Sequence, residues 1–566
     1  MQNVATLQSF IGGRWLGSEA ATPLHSALNS NLIYHTHSEK IDFDEAVTYA
    51  RKTGVPALMK LDFQKRAAVL KALAMYMMER KEELYKISML TGATRPDSWV
   101  DVEGGIGTLF AYASMGGREL PSSNVLHEGP AMALGKRGGF AGTHILVPRG
   151  GLAVHINAFN FPIWGLLEKF APSFLAAMPC IGKPATATSY LTEAVVRMMH
   201  ESGLLPEGSF QLVIGSTGDL LDRLDGADAV TFTGSADTAA KLRVNKNLIA
   251  NSVPFTAEAD SLNCAILAPD VTPDDPEFDL FVKEVAREMT GKAGQKCTAI
   301  RRIIVPKNQV DAVAERLRDR LAKVVVGDPS VEGVRMGALA SMDQHRDVSE
   351  RVEMLARGNE IVFGARDGFN PIGEGAASGA FFSPTLLLCR DAMNNDSVHD
   401  VEAFGPVSTL MTYEGIDEAL ALAARGKGSL VSTLVTKEPA IAAYAVPIAA
   451  ASHGRVHILD RESAVDSTGH GSPLPQLKHG GPGRAGGGEE LGGIRAVRHF
   501  LQRAAVQGSP TMLAAVTGEY VRGGAVKEGD LHPFRRHFED LEVGHSLLPH
   551  RRTVSEADIV AFGGVS

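Results

Sequence analysis

The chain is 566 residues long, too long for one compact core, so two or more domains are expected. Hydrophobic residues make up 44% and charged residues 21%, an ordinary globular mix, and the net charge of −9 argues against a nucleic-acid partner. No run of eighteen apolar residues occurs, and residues 1–12 lack a basic stretch followed by an apolar one, so neither membrane spanning nor secretion is expected and the reading is cytoplasmic.

In chain order, Leu70, Leu73 and Met77 recur at helical spacing and predict a helix over 61–90, with Lys, Arg and Glu on its other face and Gly92 as its stop. Apolar, β-rich runs then alternate with helical stretches. Strands are expected over 152–156, 210–214 and 229–233, and helices over 191–200 and 237–246. That alternation implies an α/β fold with a mostly parallel, doubly wound sheet. A second series, a strand over 302–305 and a helix over 310–322, suggests a second α/β domain with Cys297 near its start. The segment 470–493 is so rich in glycine that no regular element can run through it. An ordered loop with unusual backbone angles is favoured over a flexible linker.

Four cysteines, at 180, 264, 297 and 389, form no C-x-x-C pair, which argues against a zinc site and a disulfide framework. Cys180, Cys264 and Cys389 read as small buried hydrophobes. Cys297 follows a glycine turn, Gly294-Gln295-Lys296, and is either another structural thiol or a nucleophile. Glu258 lies just beyond a strand-like run, in Phe255-Thr256-Ala257-Glu258, either as a solvated loop carboxylate or as a base among apolar neighbours. Asn157-Ala158-Phe159-Asn160-Phe161-Pro162 follows the 152–156 strand, at the edge where open α/β sheets place ligands. An Asn160 amide there either makes a turn or donates to a developing oxyanion.

Taken together and in order, Asn160-Phe161-Pro162, Lys183-Pro184-Ala185, Phe232-Thr233-Gly234-Ser235, Glu258, Gly294-Gln295-x-Cys297 and Glu402-x-Phe404-Gly405-Pro406 resemble the aldehyde dehydrogenase superfamily, over residues 7–525. The resemblance implies a Rossmann-like cofactor domain (1–128 and 151–270), a catalytic domain (271–485) and small oligomerisation strands (129–150 and 486–525). It implies a homodimer or higher homo-oligomer. Cys297 would attack the aldehyde, with Asn160 and the Cys297 N–H on the oxyanion, and Glu258 would activate the water that hydrolyses the thioester. Lys183 and Glu402 would meet the two cofactor riboses and Ser235, after Gly234, the pyrophosphate, with Phe404 in the same motif as Glu402. Two departures stand out. Thr186 replaces a glutamate common in NAD-using members, so NADP is expected to be preferred, with NAD possible. Ala259-Asp260-Ser261 replaces the usual Leu-Gly-Gly after Glu258.

A narrower resemblance is to the dehydrogenase part of the bifunctional ring-opening family of aerobic phenylacetate degradation. It rests on Ser98-Trp99-Val100-Asp101-x-Glu103-Gly104-Gly105-Ile106-Gly107, the run from His155 to Pro162, Glu258 to Cys264, and the long glycine segment from Ser467 to Arg484. It implies a CoA-linked aldehyde, 3-oxo-5,6-dehydrosuberyl-CoA semialdehyde, as substrate. The alternatives are 3,4-dehydroadipyl-CoA semialdehyde and a CoA-acylating reaction, and the presence of Glu258 counts against the latter. Residues 526–566 resemble a linker and the opening of a hotdog-fold hydratase domain of the MaoC type. The chain ends before that domain's catalytic pair, so dehydrogenase activity without ring hydrolysis is expected, with a separate enoyl-CoA hydratase as partner.

Overall fold

The computed structural model describes residues 4–364, 369–477, 480–487 and 492–525, with 527–528, 539 and 545–546 besides. Two compact units emerge, one of residues 1–122 with 148–500 and one of 123–147 with 501–566. Expectations for residues 526–566 fall almost wholly outside the described residues. Among the described residues no helix is long and apolar enough to cross a membrane.

The larger unit holds two seven-stranded sheets. In the first, the order is Phe255–Glu258, Ala229–Thr233, Ala153–Ile156, Cys180–Lys183, Phe210–Leu212, Ser9–Ile11, Arg14–Leu16. The first five strands are parallel, and the N-terminal pair closes the edge antiparallel. All four residues of Ala153–Ile156 are buried, as a central parallel strand covered on both faces requires. One face packs Val154, Ile156, Ile181, Val230 and Phe232. On the other, His155 is wholly buried between the Thr231 and Ser173 hydroxyls, and burial pushes its imidazole down to about 3, which keeps it neutral.

The second sheet is parallel apart from its edge strand Glu360–Phe363. Its centre is Arg302–Pro306 and Cys264–Leu267, and one face buries Ile266, Ile304, Met411 and Leu434. The first sheet's strands end beside the segment that leads to Cys297. The smaller unit pairs Ala141–Pro148 with Leu126–His127, Met132–Ala133 and Leu501–Gly508.

Several elements differ from their sequence reading for identifiable reasons. The helix over 61–90 is two helices, Phe63–Glu79 and Lys81–Ser88. They are divided at Arg80, which leaves helical geometry (φ −113°, ψ 10°) and turns its guanidinium back onto the Tyr76 carbonyl at 3.0 Å. Gly92 ends the run in the left-handed region, φ 84°. The helix over 237–246 is Ala236–Arg243, followed by a short helix Lys246–Ala250 whose first turn is capped by the Asn245 side chain. In the glycine segment, Gly483, Gly486 and Gly487 take positive φ. A Cβ on Gly486 would lie 1.9 Å from the Ala257 carbonyl, so Gly486 packs directly against the strand that carries Glu258.

Candidate functional site

Glu258 is the last residue of its strand, in register with Thr233 on the neighbouring strand. Asn160 lies in the turn between strand Ala153–Ile156 and helix Trp164–Leu175. That helix is fixed at its amino end by Asp101, whose Oδ1 accepts from the Ile163 and Trp164 N–H groups at 3.1 and 2.8 Å. Asp101 is fully buried, and burial pushes its carboxyl up to about 6 against the pull of Lys292.

The loop that delivers Cys297 is held from several sides. Three successive residues, Lys292, Ala293 and Gly294, take positive φ of 53°, 51° and 67°. Two of them are not glycine, a strained arrangement that persists because its surroundings fix it. The Lys292 N–H donates to Asp97 at 2.6 Å, and the Lys292 ammonium, its pKa lowered by burial, reaches Thr91 at 3.2 Å. Gln295 donates to the Lys292 carbonyl and accepts from the Ala340 N–H. Gly294 presses against the Glu402-to-Pro406 motif, where a Cβ would lie 2.1 Å from the Gly405 carbonyl. After the cysteine, Asn263 donates to the Cys297 and Ala299 carbonyls at 2.8 and 3.0 Å.

These elements converge on one pocket, whose walls include Asn160, Thr233, Glu258, Cys297, Trp164 and Glu168. Cys297 is half-buried, whereas Cys180, Cys264 and Cys389 are buried. Burial pushes the Cys264 thiol up to about 11, as befits an inert core residue. The Asn160 amide donates to the Gln295 carbonyl at 3.0 Å and, like any primary amide, has a second N–H to offer. Thus Cys297, Glu258 and Asn160, far apart in sequence, line a single cavity.

The residues expected to hold a cofactor are distributed along the same strand ends. Lys183 ends strand Cys180–Lys183, its pKa lowered by burial, and among the described residues it has no carboxylate partner. Thr186 opens the short turn that follows. Gly234 donates its N–H to the Glu258 carbonyl at 3.1 Å, and Ser235 caps helix Ala236–Arg243. Beside them, both amide atoms of Asn157 and the Thr233 hydroxyl are buried without a hydrogen-bond partner. Such orphan groups cost about 1–3 kcal/mol each unless a ligand or water satisfies them. The strand edge therefore fits a polar ligand such as a dinucleotide.

Glu402 is held by contacts within the protein. Its side chain is only 7% exposed, and its carboxylate is taken by the Ser261 N–H at 3.0 Å and by Arg301 at 3.3 Å. Burial pushes its carboxyl up to about 7, with Arg301 opposing and Asp260 reinforcing that rise. Phe404 stands edge-on to Phe159 at 5.8 Å, with the Arg301 guanidinium 5.3 Å from its ring centre.

Sequence reasoning missed Arg301, which also donates to the Gly405 and Lys296 carbonyls and so ties the cysteine loop to the Glu402 motif. Nothing local marks it as different from Arg302. It also missed Phe161, Trp164, Gly165 and Glu168 as pocket walls. The i, i+4 relations Phe161–Gly165 and Trp164–Glu168 were the available signal.

Residues 17–506 match the sequence profile of the aldehyde dehydrogenase family. The chain is 43% identical over 478 residues to a 3,4-dehydroadipyl-CoA semialdehyde dehydrogenase from Aromatoleum evansii, covering 84% of this chain and 93% of that protein. It is 53% identical over 232 residues to a Klebsiella aerogenes protein named MaoC, covering 41% of this chain and 68% of that one. Among solved structures, betaine aldehyde dehydrogenase from Staphylococcus aureus in complex with NAD+ superposes with a TM-score of 0.76 at 22% identity, over 89% of this chain and 95% of that one. That likeness shows the fold.

Proposed function

The chain belongs to the aldehyde dehydrogenase family, and from that premise we propose that it oxidises a CoA-linked semialdehyde to the free acid with NADP as hydride acceptor. The reading is carried by one observation: Cys297, Glu258 and Asn160 face a common pocket at the strand ends. In this scheme the Cys297 sulfur adds to the aldehyde carbon, and the resulting oxyanion is met by the second Asn160 N–H and the Cys297 backbone N–H. The adduct is oxidised to a thioester. Glu258 then takes a proton from water as the water attacks the thioester, releasing the acid and the free thiol.

Lys183, Thr186 and Ser235 are the residues proposed to hold the cofactor, whose nicotinamide ring supplies the hydride acceptor when bound. Thr186 supports NADP because a neutral hydroxyl, unlike a carboxylate, does not repel a 2′-phosphate, and the half-buried Lys183 ammonium attracts one. On this scheme residues 1–128 and 151–270 serve the cofactor, 271–485 the chemistry, and the 129–150 and 486–525 segments assembly into a homo-oligomer.

Two substrates have support. The 53% identity to the MaoC-named protein and the ring-opening resemblance favour 3-oxo-5,6-dehydrosuberyl-CoA semialdehyde. The Aromatoleum relative, matched over nearly its whole length, favours 3,4-dehydroadipyl-CoA semialdehyde. Reduction of NADP and NAD with both compounds and with free semialdehydes, for wild type and Cys297→Ala, tests the proposal. Activity is expected only with CoA-linked substrates and only with Cys297 present; equal turnover of free semialdehydes would reject the CoA reading.

A further inference from the structure

We infer that Glu168 is a specificity-determining residue of the aldehyde pocket. It turns away aldehydes that carry a free carboxylate close to the reacting carbon and admits those in which that group is masked as a neutral thioester. The inference rests on the reading of Cys297 as nucleophile proposed above and deepens it. Glu168 lies one turn beyond Trp164 on helix Trp164–Leu175, which follows the Asn160 turn, and both residues belong to the pocket wall. The Glu168 side chain is 12% exposed and pairs with the Lys169 ammonium at 3.3 Å. Lys169 is buried and needs that counter-charge, so the carboxylate is built into the helix.

The wall's charges are all of one sign. Among the described residues that line the pocket there are two carboxylates, Glu168 and Glu258, and no Lys, Arg or His. Phe161, Trp164 and Pro473 supply apolar surface between them. The two ammonium groups close in sequence lie outside the wall: Lys169 is buried beside Glu168, and Lys296 stands 2.6 Å from Glu288. An anion entering such a site loses its hydration and meets no cation in exchange. The semialdehyde of a dicarboxylic acid carries such an anion at the other end of a short chain. A thioester at that end removes the charge, and the phosphates of CoA lie beyond the pantetheine arm. Glu258 is the base that the chemistry uses, whereas no step of that chemistry calls on Glu168, which leaves it the task of selection.

Iodoacetate and iodoacetamide differ in charge and little else. The ratio of their alkylation rates at Cys297, read on the Cys297 peptide by mass spectrometry, therefore reports the field at the thiol without cofactor or substrate. The wild-type preference for iodoacetamide is expected to exceed that of 2-mercaptoethanol about 100-fold, about tenfold for each wall carboxylate, the effect of two unit charges about 12 Å apart at an effective dielectric near 20. Glu168→Gln is expected to cut that excess about tenfold. If that variant fails to fold, the Glu168→Gln, Lys169→Met double variant, which leaves no lone buried ammonium, is expected to do the same. A merely structural role for Glu168 would slow both reagents alike and leave their ratio where it was. An unchanged ratio in these variants overturns the inference, as does a wild-type preference equal to that of 2-mercaptoethanol. In turnover, the methyl ester of a dicarboxylic semialdehyde oxidised as well as its CoA thioester, with the free acid refused, supports the inference while rejecting recognition of CoA. A Cys297 that neither reagent alkylates overturns the nucleophile reading and this inference with it.

Discussion

Replacing Gly294 by alanine probes the geometry on which the thiol's placement depends. The residue sits at φ 67°, where an L side chain costs about 1–2 kcal/mol. The new methyl carbon would also lie 2.1 Å from the Gly405 carbonyl oxygen, about 1 Å inside contact, and forced overpacking of this kind costs about 1–3 kcal/mol. Both segments are tied in place, one by Gln295 and Lys292 and the other by Arg301, so relief has to come from shifting the loop that carries Cys297. A displacement of about 1 Å is enough to lower turnover about 100-fold. The expected result is a destabilisation of about 2–5 kcal/mol with kcat reduced about 100-fold, measured by thermal unfolding and steady-state NADPH formation. Gly107→Ala is the control, because its added carbon meets nothing within 4 Å. If Gly294→Ala matches that control in both unfolding midpoint and kcat, the clash reasoning is wrong.

Other perturbations address separate parts of the account. Asn160→Ala is expected to lower kcat by about 10²–10³ with a much smaller change in KM, since the amide acts on the oxyanion; a pure KM effect would assign it to ground-state binding. Thr186→Glu is expected to shift the ratio of kcat/KM values from NADP toward NAD by at least tenfold, and an unchanged ratio would remove this position from cofactor selection. Asp101 is fully buried with its carboxyl raised from 3.8 to about 6, so it binds its proton more tightly folded than unfolded. Its contribution to stability is complete below about pH 4 and is lost as pH rises through 6, a span of about 3 kcal/mol. Asp101→Asn is expected to flatten the pH dependence of the unfolding midpoint between pH 4 and 6, and identical slopes for the two proteins would contradict the assignment.

What was legible in the sequence was the chemistry and the strand rhythm. The buried strand Ala229–Thr233 is continuously apolar or β-branched, and Gly92 and Ser235 mark boundaries by rules that act within a turn of chain. Long-range polar packing was not legible. Arg66 looks like the charged face of an amphipathic helix, yet it is fully buried and donates to the Leu175, Leu58 and Leu61 carbonyls, closing the end of a helix more than a hundred residues away. Arg301 and Glu402 are likewise ordinary in their local context, and only the fold pairs them. The approach of Gly486 to the strand of Glu258 is a tertiary contact that its glycine-rich neighbours do not announce.

The central claim is that Cys297 and Glu258 act on the same carbon in successive steps, and rapid mixing of Glu258→Gln with substrate and NADP tests it most directly. The account predicts a burst of one NADPH per site, then a steady rate slowed by about 10²–10⁴, and an intact mass increased by one acyl group that Cys297→Ala abolishes. Steady turnover at the wild-type rate in Glu258→Gln, or a burst that survives in Cys297→Ala, would contradict it.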